Sequence, residues 1–190
     1  LSDSAARHRA RQTVINLVLA LGASLAIVVV MIAVVPRDDS NRIKPVDYSG
    51  VVDDAVASTG WNIFKIKPPT GWWANQAQLT TQAIDAVPTF NAGFVGSQTK
   101  YLGYTQAFNV NPTWLALQLK DVTPVGTFGI GYRNWAQYKS VVQHDPAQTK
   151  DEIWVLQVGK DAVLLSGIGS KTDWEFFATS IDQAVEGASK

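Results

Sequence analysis

The chain holds two histidines and no cysteine, which sets a narrow limit on its chemistry. Thiol nucleophiles, disulfides and zinc–thiolate sites are excluded outright. His8 falls in a basic N-terminal flank, so a nucleophilic triad or a metal site in the remainder would have to rest on His144. Its neighbours Asp145 and Pro146 give that histidine the setting of a surface turn. Paired carboxylates occur at Asp38/Asp39, Asp53/Asp54 and Asp151/Glu152. A hydrolase using carboxylates alone needs two acids whose surroundings split their pKa values, and nothing beside these pairs would do so. The glycines at 126, 129 and 131 do not make a phosphate loop, because a strand rather than a helix N-terminus continues them. They are expected at a bend or bulge. The expectation is therefore a non-enzymatic chain, with no catalytic, cofactor-binding or metal-ligating residues. What remains for binding is aromatic. Trp72 and Trp73 follow the turn Pro68-Pro69-Thr70-Gly71, where side chains can stay exposed as a ligand or partner surface.

The element that would position all of this is the run Thr13 to Val35, which no charge interrupts. As a helix it would span roughly 35 Å, enough for a hydrocarbon core of about 30 Å. It contains 14 Leu, Ile and Val residues, worth an upper bound of roughly −4 to −8 kcal/mol for insertion. The run is longer than the apolar region of a signal peptide, and Ala33-Val34-Val35-Pro36 lacks the small-x-small cleavage pattern. A retained anchor is expected. Arg7, Arg9 and Arg11 precede it, while Arg37, Asp38 and Asp39 follow with mixed sign. That asymmetry predicts a cytoplasmic N-terminus and an extracytoplasmic domain. Three arginines bind nucleic acid weakly, so membrane lipid headgroups are their expected partner and nucleic acid is not. Ala20 with Ser24 and Gly22 with Ala26 form two small-xxx-small pairs, read as neighbouring helix–helix contact faces.

The chain divides into a basic tail (1–12), the membrane helix (13–35), a polar linker (36–45) and one domain (46–190). Beyond the anchor, thirteen Lys/Arg face fifteen Asp/Glu, a balance that points to no charged partner. Asp47 and Ser49 offer N-cap oxygens to a helix over Val46–Ser58, which Gly60 stops. Strands are expected at Trp61–Lys67, from Trp72 through Ile84, at Phe90–Val95, Tyr101–Phe108 and Trp114–Leu119, and through Thr127–Ser140. Ile153–Val158 and Ala162–Ser166 form a hairpin closed around Gly159-Lys160-Asp161. Thr172 to Glu175 has capping-box spacing ahead of a closing helix, with Trp174, Phe177, Ala178, Ile181 and Val185 at helical intervals and Gly187 as its stop. The fold class is α+β: a mainly antiparallel sheet of about six or seven strands covered by two helices.

Together these features resemble an actinobacterial family of single-pass membrane proteins with an uncharacterised extracytoplasmic domain. The similar stretches are the basic-flanked anchor, Pro45-Val-Asp-Tyr48, Pro69-Thr-Gly71-Trp72, the run Phe90–Phe94, Tyr101 with Gln106, Trp135 with Tyr138, and the closing hairpin and helix. Phe90 stands where that family more often has Trp. The resemblance carries no catalytic residue over to this chain. At the level of fold it is also similar to PsbP-like sandwiches, which mostly bind within larger assemblies. The function it implies is an accessory or assembly subunit whose partners are integral membrane protein subunits. The actinobacterial respiratory cytochrome bcc–aa3 supercomplex is a natural host. A different class of function, an envelope-facing module for a lipid, glycan or small ligand, rests on Trp72 and Trp73.

Overall fold

The computed structural model describes residues 2–34, 44–82, 86–97, 100–141 and 152–188, in two units, 1–43 and 44–190. Among the described residues the first unit is one helix, α1 (Ser2–Val34). It starts well ahead of Thr13, so the expected division between tail and span is one of composition and not of backbone. Arg11 to Ile32 form a 22-residue apolar stretch, none of it buried, about 33 Å long. A helix this apolar on every face is suited to lipid, not to the surface of a water-soluble core.

In the second unit, α2 (Tyr48–Thr59) begins at Asp47, whose carboxylate accepts the Gly50 N–H at 3.0 Å. It ends at Gly60, which adopts a left-handed conformation with φ 71° and donates its N–H to Val56. Tyr48, Val52 and Ala55 recur at helical spacing and are the buried face. Seven strands follow: β1 (Trp73–Thr80), β2 (Thr89–Val95), β3 (Tyr101–Ala107), β4 (Val122–Ile130), β5 (Arg133–Ser140), β6 (Glu152–Val158) and β7 (Asp161–Ile168). Every pairing is antiparallel, in the order β1-β2-β3-β7-β6-β5-β4. Two meanders thus join through the central pair β3–β7. The chain passes from the middle of the sheet to its far edge through α3 (Pro112–Gln118). At that edge, Gly126 lies at the register shift after Pro124, and Gly131 turns the β4–β5 hairpin with φ 56°. The bend and bulge expected of these glycines are both present.

Helix α3 corrects the strand expected at Trp114–Leu119. Asn111 accepts the Trp114 N–H at 2.8 Å and Pro112 occupies the first turn, a helix start that outweighs six residues of alternation. The alternation had no buried face behind it: Trp114 is buried while Leu117 is 57% exposed. A third helix therefore joins the two expected. Helices α2 and α4 (Lys171–Ala188) pack with Phe90, Phe94, Tyr104, Leu165 and Trp154 in the main core. The α3 residue Trp114 joins Val87, Ala107, Ile153 and Leu164 in a smaller cluster.

The segment 61–67 is the second correction. It forms no strand and pairs with none. Side chains take its backbone groups instead. Phe64 N–H donates to Gln106 Oε1 at 2.9 Å, Gln106 Nε2 donates to Asn62 O at 2.8 Å, and Ile66 N–H donates to the Tyr48 hydroxyl at 3.0 Å. Tyr104 donates its hydroxyl proton to Gln106 Oε1 at 2.8 Å. Burial pushes the Tyr48 hydroxyl up to about 12, against the Ile66 N–H that lowers it, and raises Tyr104 well above its ordinary value. Both rings therefore stay neutral across the physiological range.

The closing helix also starts differently from its expected capping box. Ser170 and Asp173 cap each other: Ser170 N–H donates to Asp173 Oδ2 at 2.8 Å, and Asp173 N–H donates to Ser170 Oγ at 3.4 Å. Gly187 lies inside α4 and does not end it. Lys100 holds the same carboxylate at 2.9 Å, tying α4 to the β2–β3 connection. Arg133 reaches Asp182 at 2.6 Å and ties α4 to β5. Burial alone would raise the Asp173 pKa, but hydrogen bonds from Ser170 and Lys100 outweigh it and hold the group below its usual value. A carboxyl with a depressed folded pKa contributes stability above its unfolded pKa of about 4 and loses it as pH falls through the folded value. Urea midpoints measured from pH 7 down to pH 2.5 should show the wild-type advantage over Asp173→Asn shrinking below pH 4. A constant difference across that range would contradict the assignment.

Candidate functional site

The sequence singled out three kinds of residue: paired acids, small residues on α1, and Trp72 with Trp73. Of the acids, Asp53 is exposed and pairs with Lys65 at 2.9 Å, Asp54 is exposed beside it, and Glu152 accepts the Trp154 indole N–H at 2.7 Å. His144, Asp145, Pro146, Asp151, Asp38 and Asp39 lie outside the described residues. Among the described residues no cluster of His, Asp and Glu could hold a metal ion. Of the acids that can be placed, Asp53 and Glu152 thus carry structural pairings.

The small residues Ala20, Gly22, Ser24 and Ala26 are all exposed on α1. Ser24 Oγ donates to Ala20 O at 3.0 Å, so its hydroxyl is already engaged within the helix. At 100° per residue the two pairs lie roughly 160° apart. They occupy nearly opposite faces, not neighbouring ones, and one partner helix cannot meet both.

Trp72 and Trp73 also separate. Trp72 is half-buried and meets Phe177 edge-on, with ring centroids 5.2 Å apart. Its ring also closes over Gly96, where an added Cβ would stand 2.6 Å from it. Trp73 opens β1 on the opposite face of the sheet and is 37% exposed. Only Trp73 keeps the exposure expected of the pair. Trp114, Trp135, Trp154 and Trp174 are buried, and Trp61 packs at 4.7 Å from Phe108.

Strand register places Trp73, Val95, Tyr101 and Ile168 side by side across β1, β2, β3 and β7. The next row on that face is Gln76, Gly93, Gly103 and Ser166, and the one after is Gln78, Asn91, Thr105 and Leu164. Asn91 is fixed between two hydroxyls: its amide donates to Thr89 Oγ1 at 2.9 Å and accepts from Thr105 Oγ1 at 2.8 Å. Asn75, at the β1 bulge, turns its carbonyl toward Gly93, and that buried oxygen finds no hydrogen-bond partner among the described residues. The alternation of Gln76, Gln78 and Thr80, and of Thr89, Asn91 and Gly93, was the sequence signal for this face. A separate groove of 310 Å³ lies along α4, lined by Lys67, Glu175, Phe176 and Gln183 among others, with neither Trp72 nor Trp73 in its wall.

The described residues thus define a protein with one N-terminal apolar helix, long enough to cross a membrane, and one α+β domain on a seven-stranded antiparallel sheet. Residues 9–181 match the family described as a protein of unknown function, DUF4245, and the chain belongs to it. Compared with curated proteins and with solved structures, the chain shows no significant match in either.

Proposed function

We propose that this protein is a non-enzymatic, membrane-anchored accessory or assembly subunit of a larger membrane protein complex. The actinobacterial respiratory cytochrome bcc–aa3 supercomplex is the host proposed for it. The observation that carries this reading is the 22-residue apolar stretch of α1, none of it buried. Its small residues on two opposite sides would let two neighbouring helices approach closely, since contact in lipid is driven by packing. The basic N-terminal flank supports a cytoplasmic N-terminus and an extracytoplasmic domain. Helices on both faces of one sheet support the likeness to PsbP-like sandwiches, as an analogy of arrangement.

The test is purification of the tagged full chain from membranes in mild detergent. Co-elution with integral membrane subunits is the expected outcome. Elution alone, at the size of one chain in its micelle, sinks the reading. The alternative, an envelope-facing binding module, is favoured by one observation, the exposure of Trp73 on a sheet face that carries no charge.

A further inference from the structure

We propose that the outer face of β1, β2, β3 and β7 binds a neutral saccharide chain, with Trp73 and Tyr101 as stacking platforms and Gln76, Gln78 and Asn91 as its polar contacts. None of the residues these four strands turn to that side carries a charge. Solvated faces ordinarily mix charges of both signs, so a face without them is unusual. It offers no countercharge to a phosphate or a nucleic acid. It is too rich in amides and hydroxyls for the apolar centre of a protein interface. A sugar hydroxyl both donates and accepts, and so do the Asn, Gln, Ser and Thr groups displayed here.

The aromatic groups suit the apolar side of a sugar ring. Aromatic faces carry negative potential that attracts C–H edges. The Tyr101 ring leans across the two facing glycines: its hydroxyl lies 2.9 Å from a Cβ built on Gly93 and 3.4 Å from one built on Gly103. A side chain at Gly93 would lift the ring away. Trp73 sits two strands along, roughly 10 Å away, about the length of a disaccharide. Asn91 is held in place by Thr89 and Thr105, yet keeps one amide hydrogen and one lone pair for a ligand. Asn91 and Tyr101 are thus held before binding, which lowers its entropic cost.

Affinity electrophoresis of the full chain, in a detergent without a sugar headgroup, reads this directly. The gels would contain amylose, laminarin, mannan or, as the charged control, dextran sulfate. The expected result is retardation by at least one of the three neutral glycans. Trp73→Ala and Gln78→Lys, both at exposed positions, should weaken it about tenfold while the far-UV spectrum stays unchanged. No retardation by any neutral glycan, retardation by dextran sulfate alone, or retardation of both variants equal to that of the wild type would overturn the proposal. Co-purification with membrane subunits neither requires nor excludes this face, so the two tests fail independently.

Discussion

Gln106→Leu is expected to destabilise the α+β domain by on the order of 3–5 kcal/mol, although leucine is close to glutamine in size. Gln106 is fully buried, and its amide serves three partners: Phe64 N–H, Asn62 O and the Tyr104 hydroxyl. Leucine fills the space and serves none of them. Each buried polar group left without a partner costs about 1–3 kcal/mol, so two orphaned backbone groups account for most of the loss. Against a total of roughly 5–15 kcal/mol for a domain, the thermal midpoint should fall by about 10–15 °C. Hydrogen exchange gives the local readout, because the Phe64 amide should lose its protection before the paired amides of β3 and β7 do. A midpoint within 2 °C of the wild type would show that the segment 61–67 is held by packing alone.

That prediction rests on a contact no local sequence pattern encodes. Gln106 lies 42 residues from the amide it holds, and Trp61–Lys67 has the apolar, extended character of a strand. Whether such a segment joins a sheet depends on whether an edge is free beside it, a fact of the tertiary structure. The hairpins were legible because their turns and alternation are local: β2 with β3, and β6 with β7. The closing helix was legible from its stripe, although its cap lies two residues earlier, at Ser170. Helix α3 was legible in principle. Asn111-Pro112 is a helix start, but Leu115, Leu117 and Leu119 imitate strand alternation over a window too short to separate the two periods. The crossing from β3 to β4 at the far edge has no sequence signal. Of the candidate site, Trp73 was found and its setting was not. Two adjacent tryptophans cannot both face outward once the strand begins between them, and the amide-rich rows appear only when register sets four strands side by side.

Ending the chain at Ser170 is expected to unfold the α+β domain while leaving intact α1 and the membrane insertion proposed for it. Helix α4 buries Trp174, Phe177, Ile181 and Val185, each at most 2% exposed. Their burial contributes about 1.5–3 kcal/mol apiece, roughly 6–12 kcal/mol together, comparable with the whole stability of a domain. Removing them also uncovers what they meet: Trp154 stacks on Trp174 at 5.4 Å, and Phe94 and Trp72 both lie 5.2 Å from Phe177. The sheet would then present an aromatic face to water, a surface prone to aggregation. Arg133 would lose Asp182, and Lys100 would lose Asp173, but those partly exposed pairs add little beside the aromatic loss. Differential scanning calorimetry of the truncated chain in detergent should show no cooperative transition, and carbonate extraction should leave it in the membrane fraction. A transition at the wild-type temperature would mean that α2, α3 and the sheet form a self-sufficient core, with α4 an appendage to it.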